Sequence, residues 1–272
     1  MAICRFFILS LFCGGVAFNA LPAHAGAWTL DPKSRLVIST SIIDRADRTF
    51  GPDSNEDEDP NFNKFESGLY IEQGLTPKIT LVGQSSFQTV SFNNGSEQVD
   101  FNGFGNSSLG ARYGLYKSSK QVVSLEVHGI VNGGGEDVPD GDFGRGDVSI
   151  ELRGLYGRNL KLGSKPAFVD FQVAARSRLN ENPDQWRSDL TAGVQLSEKF
   201  LFLGQGFYKQ NSGSLEDPFD PVFSTKSLKG QISAVYRFRP KYSLQLGVFK
   251  TLWGENVVDE EALIIGVWQK FG

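Results

Sequence analysis

The chain has 272 residues, a formal net charge of −4, 21% charged and 40% apolar residues, two cysteines and two histidines. Cys4, Cys13 and His24 all fall in the first 25 residues, so the rest keeps no thiol and one histidine, His128; that excludes His/Cys zinc sites and thiol catalysis there and leaves one candidate for Ser/His chemistry. An acidic balance with no basic stripe interleaved with aromatics excludes nucleic-acid binding.

Residues 1–25 read as a secretory signal peptide: Arg5 is the positive start, Phe6 to Val16 the apolar stretch, and Ala23-His24-Ala25 the small-residue cleavage site before Gly26. From there to Gly272 no linker interrupts the pattern, and no stretch approaches the roughly 18 apolar residues of a spanning helix. Residues 26–272 are therefore expected to be one domain.

That domain repeats one unit: strand, short basic turn, strand, long acidic connection. Period-two alternation predicts twelve strands at 34–45, 64–75, 78–90, 106–116, 121–131, 147–159, 166–178, 186–196, 200–210, 227–238, 242–253 and 262–271. The turns carry Lys and Arg, as in Thr76-Pro77-Lys78, Lys117-Ser118-Ser119-Lys120 and Arg239-Pro240-Lys241. The connections at 50–63, 91–106, 132–147, 179–185, 211–226 and 254–261 are rich in acid, Gly and Asn. In an up-and-down meander alternate connections leave at opposite ends, so two alternating loop populations predict an all-β, 12-stranded antiparallel up-and-down transmembrane β-barrel with both termini in the periplasm.

Within a strand the two faces separate. Val123, Leu125 and Val127 oppose Ser124, Glu126 and His128; Val148, Ile150 and Leu152 oppose Ser149, Glu151 and Arg153; Val169, Phe171 and Val173 oppose Asp170, Gln172, Arg176 and Arg178. Only 200–210 and 262–271 have an ambiguous phase. A soluble sandwich would pack the apolar faces together, whereas a barrel turns them to lipid. Twelve strands with an apolar interior would leave a void too wide for side chains to fill, which favours lipid. Aromatics near the short turns are placed as an interfacial girdle: Tyr113, Tyr116, Tyr156, Phe200, Phe202, Tyr236, Phe238, Tyr242, Trp268 and Phe271.

Three short passages, Ala25-Gly26-Ala27-Trp28-Thr29, Tyr70-Ile71-Glu72-Gln73-Gly74-Leu75-Thr76 and Gly266-Val267-Trp268-Gln269-Lys270-Phe271, resemble XagA-like outer-membrane proteins of proteobacteria. A wider kinship is with barrels labelled as MetA-pathway phenol-degradation proteins. The resemblance implies the outer membrane, twelve strands, and an association with surface attachment and exopolysaccharide. It carries no catalytic residue.

The polar face supplies the lumen candidates: Arg35, Glu66, Glu72, Arg112, Glu126, His128, Glu151, Arg153, Asp170, Arg176, Arg178, Arg187, Asp189, Lys229 and Arg237. Both signs on neighbouring strands predict cross-strand ion pairs. Basic strands (Arg176, Arg178, Arg187) facing acidic ones (Glu126, Glu151) would orient a dipolar or anionic solute; the same groups paired off would only stiffen a closed lumen. His128 shares its face with Glu126, so a hydrogen-bonded lumen histidine is expected rather than a lipase relay on the lipid-facing surface.

The acidic loop at Asp53, Glu56, Asp57, Glu58 and Asp59 is expected outside the cell, solvated or bridged by divalent cations to lipopolysaccharide phosphates. No cofactor or resident metal is expected. Asp140-Gly141-Asp142 lacks a calcium ligand ladder, and Gly133-Gly134-Gly135 precedes no helix. The expected surroundings are outer-membrane lipid and lipopolysaccharide, with surface polysaccharide as a further candidate partner and a monomer favoured. The expected role is a narrow, non-enzymatic channel for small solutes or exported surface material. The alternative is a plugged adhesion component.

Overall fold

The alternation becomes fourteen antiparallel strands in a computed structural model that describes residues 26–51, 56–93, 98–131, 133, 148–179, 184–212 and 225–272. The leader, Asp53 and the Asp140-Gly141-Asp142 motif lie outside these residues. The first half of the wall comprises β1 (Arg35–Phe50), β2 (Glu56–Thr76), β3 (Ile79–Asn93), β4 (Gln98–Phe104), β5 (Ser107–Lys117), β6 (Gln121–Val131) and β7 (Val148–Leu162). The second half comprises β8 (Lys165–Arg178), β9 (Asp184–Gln195), β10 (Phe200–Ser212), β11 (Lys226–Arg239), β12 (Tyr242–Glu255), β13 (Val257–Val258) and β14 (Glu261–Phe271).

Two of these strands are continuations of others. β3 pairs with β5 over Ile79–Gln84 and with β4 over Phe87–Asn93, so β4 and β5 form one interrupted wall strand. β13 and β14 likewise both pair with β1. The wall therefore has twelve strands, as the repeat predicts. It closes because β1 pairs with β2 on one side and with β14 on the other, from Arg35↔Phe271 to Arg45↔Glu261. Closure leaves no strand edge, the condition for crossing hydrocarbon.

The exterior of β6–β9 is oily. Leu125, Val127, Ile150, Leu152, Phe171, Val173, Trp186 and Leu190 are all exposed, while Ser124, Glu126, Ser149, Glu151 and Asp170 between them are buried inside. That is the polarity of a membrane barrel. The girdle forms at the short-turn end, where Phe200 meets Tyr236 (ring centroids 4.8 Å) and Phe238 stacks on Tyr242 (6.2 Å). Trp268 departs from it. Its ring turns inward and Nε1 donates to Gln245 Oε1 (2.8 Å).

At the opposite end the strands outrun the prediction. β3 and β4 make a hairpin through the expected loop 91–106, and Glu56–Asp59 belong to β2, in register with β1 through Thr49↔Asp57 and Arg48↔Glu58. Expecting 56–59 to be loop is corrected: once a ladder has started, hydrogen bonding carries it on, and acidic composition disfavours a strand by less than pairing favours it. The acidic stretch 254–261, expected as a connection, is corrected too. It carries β13, and Asp259 and Glu260 are buried.

Candidate functional site: the barrel lumen

The last residues before β1 do not lie outside the wall. Ala27 and Trp28 are buried within the barrel, and four strands hold the segment. Ala27 N–H donates to Asp170 Oδ2 (2.7 Å), Ser124 Oγ donates to the Ala27 carbonyl (2.7 Å), Arg112 Nη1 donates to the Trp28 carbonyl (3.0 Å), and Leu30 N–H donates to Thr80 Oγ1 (2.8 Å). The Ala27 N–H and carbonyl, the Trp28 carbonyl and the Leu30 N–H thus all find partners on the wall, as burial demands.

Trp28 anchors an apolar cluster across the turn end, with Ala27, Val122, Leu155, Phe168, Leu201, Leu203 and Val235, and with Trp268 beside it. Two wall glycines make room for it. A Cβ on Gly157 would run into the Trp28 ring, and one on Gly193 into Phe168, which meets Trp28 edge-on at 6.3 Å. The segment is thus a fitted plug. Its sequence signal was the apolar Ala27-Trp28 pair before the first strand.

Above the plug lies a central cavity of ≈ 480 Å³, partly open. Of the residues expected in the lumen, Glu72, Arg112, Glu126, His128, Glu151, Arg153, Arg176, Arg187 and Asp189 line it. The others serve elsewhere, and Arg35 is corrected: it is exposed and donates to Gln73 Oε1 (2.7 Å). Asp170 holds the plug, Glu66 accepts from Gln88 (2.9 Å), Arg178 donates its backbone N–H to Asp184, and Lys229 pairs with Glu260. Arg237 lines a smaller basic pocket at the turn end with Lys199, Lys241 and Lys270. Lys64 joins the Lys229 group, 3.2 Å from Asp44 and 3.6 Å from Glu260.

The cavity's charges form two knots. On β2, β5 and β6, Arg112 bridges Glu72 (2.8 Å) and Glu126 (2.7 Å), and His128 Nε2 lies 2.7 Å from the other Glu126 oxygen. On β7–β9, Glu151 takes Arg153 (2.8 Å) and Arg176 (2.9 Å), while Arg153 also reaches Asp189 (2.6 Å). Of the two arrangements expected, basic strands facing acidic ones or ion pairs between neighbouring strands, Glu151 and Arg176 take the second: they are register partners on adjacent strands, so the pairing is lateral. A lateral contact pair gives each group a direct charged partner, which offsets the hydration both lose on the wall.

His128 also reaches Ser108, with Oγ 3.2 Å from Nδ1. The order Ser108–His128–Glu126 is that of a hydrolytic relay. However, Ser108 and His128 sit on paired strands, β5 and β6, whose ladder engages the backbone N–H groups that an oxyanion hole would need. The chain of contacts reads as a satisfied polar ladder.

Alternation had put Gln172 and Gln231 on the polar face, and both line the cavity. Sequence reasoning missed the rest of the lining: Leu36, Ile38 and Ile42 of β1 and Ile264 of β14 face the cavity, as do Gln205 and Gln245. Beyond them, Ala46, Phe62, Val90 and Phe101 make a second apolar cluster toward the loop end.

No family model matches this sequence, and no curated protein matches it. Solved structures do. The COG4313 outer membrane channel from Pseudomonas putida F1 superposes with a TM-score of 0.76 at 15% identity, over 91% of this chain and 99% of that one. The translocator domain of the autotransporter NalP from Neisseria meningitidis gives 0.53 at 12% identity, over 89% and 90%. The KdgM porin gives 0.51 at 8% identity, over 86% and 99%. At these identities the likeness is one of fold: this chain is a closed twelve-strand β-barrel of the outer-membrane kind.

Proposed function

We propose that the protein is a narrow, non-enzymatic channel of the outer membrane for small solutes, closed at its turn end by residues 26–31. The observation that carries this reading is the cavity itself, ≈ 480 Å³ of lumen lined by both charged and aliphatic groups and stopped by a fitted segment. A scaffold has no need of a cavity, and a polymer would not pass one of this size. The structural neighbours include channels and porins and lend the same support. The adhesion reading draws none from them.

The test is conductance in planar bilayers. Trp28→Ala removes the ring that seals the cluster but leaves the wall's charge pairs in place. It should raise the mean conductance several-fold over the wild type. Equal, negligible currents from both proteins would overturn the channel reading.

A further inference from the structure

We propose that the cavity is a binding site for amphipathic monoanions, short-chain carboxylates above all, with the carboxylate on Arg187 and the apolar body along the β1–β14 seam. This deepens the channel reading above by naming what the path selects.

The first observation is a local imbalance of charge. On β7–β9, Arg153, Arg176 and Arg187 line the cavity with Glu151 and Asp189, three cations against two anions, while on β2, β5 and β6 one cation, Arg112, is shared by Glu72 and Glu126. Arg153 and Arg176 are committed to the two acids. No described residue gives Arg187 a hydrogen bond or an ion pair, although it lines the cavity and is only half-buried. A guanidinium in a partly desolvated lumen with its donors unfilled offers a bidentate fork that a carboxylate matches. Four residues further along β9, Gln205 donates to Thr191 Oγ1 (3.2 Å) and accepts from the Gln231 amide (2.8 Å). These neutral groups add hydrogen bonding without cancelling the charge.

The second observation is independent and lies on the other wall. In the closed order of twelve strands, β9, which carries Arg187, stands opposite β2, and β1 and β14 follow β2 in the wall. There Leu36, Ile38, Ile42 and Ile264 face the same cavity. Aliphatic side chains turned into a wet lumen lose nothing by touching an acyl or alicyclic body and release water when they do. One wall thus takes a single negative charge and the opposite wall takes hydrocarbon. A neutral alcohol would use only the second wall. An alkylammonium would find no acceptor at Arg187, which offers only donors.

The experiment is calorimetric titration of the purified, full barrel in non-ionic detergent with octanoate, octanol and octylamine, alongside Arg187→Gln and the double variant Ile38→Ser/Ile42→Ser. Resistance to cold detergent and the heat shift on gels report that each variant is folded. The expected result is saturable octanoate binding to the wild type, at least tenfold weaker in Arg187→Gln and weaker again in the seam variant, with octylamine silent. Octanoate binding equal in the wild type and Arg187→Gln, or equal binding of octylamine, overturns the proposal even where bilayer currents persist. Arg187-dependent binding without any current would uphold this site and sink the channel reading instead.

Discussion

The wall β6–β9 and the seam β14–β1–β2–β3 belong to one barrel, yet the wall separates oil from polarity strictly and the seam mixes them on both faces. On the wall, Ile150 and Leu152 meet lipid while Glu151 and Arg153 face in. On the seam, Ile38 and Ile42 face in, while Ser39, Ser41, Ser67, Ser85 and Ser107 take outward positions between Ile43, Phe65, Leu69 and Phe87. Ser41 and Ser67 are register partners, and Ser85 bonds Ser107 at 2.8 Å. The comparison teaches that hydrocarbon needs only a backbone fully paired and an exterior apolar on average. Hydroxyls that find each other across strands are tolerated outside, which frees aliphatics for use inside.

The strongest challenge to that contrast is Arg112→Met. It strands Glu72 and Glu126 without their shared cation, and should cost about 3–5 kcal/mol in urea unfolding from lipid vesicles. A loss below about 1 kcal/mol would mean the lumen knots do not hold the wall. Next comes a pair of opposite sign. Leu152→Lys on the wall should destabilise by about 2–4 kcal/mol. Ser41→Leu on the seam should stabilise by about 1 kcal/mol, because an apolar side chain then meets lipid where a hydroxyl stood. If Ser41→Leu destabilises instead, the outward serines are there for a packing reason. Smallest is His128→Ala, which removes one acceptor from Ser108 and one partner from Glu126. Thermal stability should fall by about 1 kcal/mol, and no ester-hydrolysing activity should change, since the backbone donors beside Ser108 are occupied. A hydrolysis rate lost with His128 would reopen the relay.

The same contrast explains what could be read in advance. Strand number, the antiparallel meander and the lumen position of Glu126, Glu151, Asp170 and Arg176 follow from period-two alternation, which is strict where one face meets lipid and the other meets charge. The two strands of ambiguous phase, β10 and β14, are those with apolar residues on both sides. Leu201 and Leu203 pack on the plug, and Ile264 completes the seam. Alternation has no contrast to report there. The plug left only an apolar pair, Ala27-Trp28, as its sign, for a different reason: these residues belong to no strand, and Ala27's partners Asp170 and Ser124 lie 143 and 97 residues away. Nor does pattern distinguish Arg176, neutralised by Glu151, from Arg187, which no described residue pairs. That difference exists only after register is fixed.

The four tryptophans divide between the two sides of the wall, which gives the molecule a built-in optical probe. Trp186 and Trp253 are exposed on the outside, while Trp28 is sealed within the plug and Trp268 looks into the cavity. Brominated acyl chains would quench the outer pair alone, and a small aqueous quencher entering the lumen would dim Trp268 first. Emission from Trp28 should then brighten or fade only when residues 26–31 shift, so the state of the channel is readable in intact vesicles without any added label.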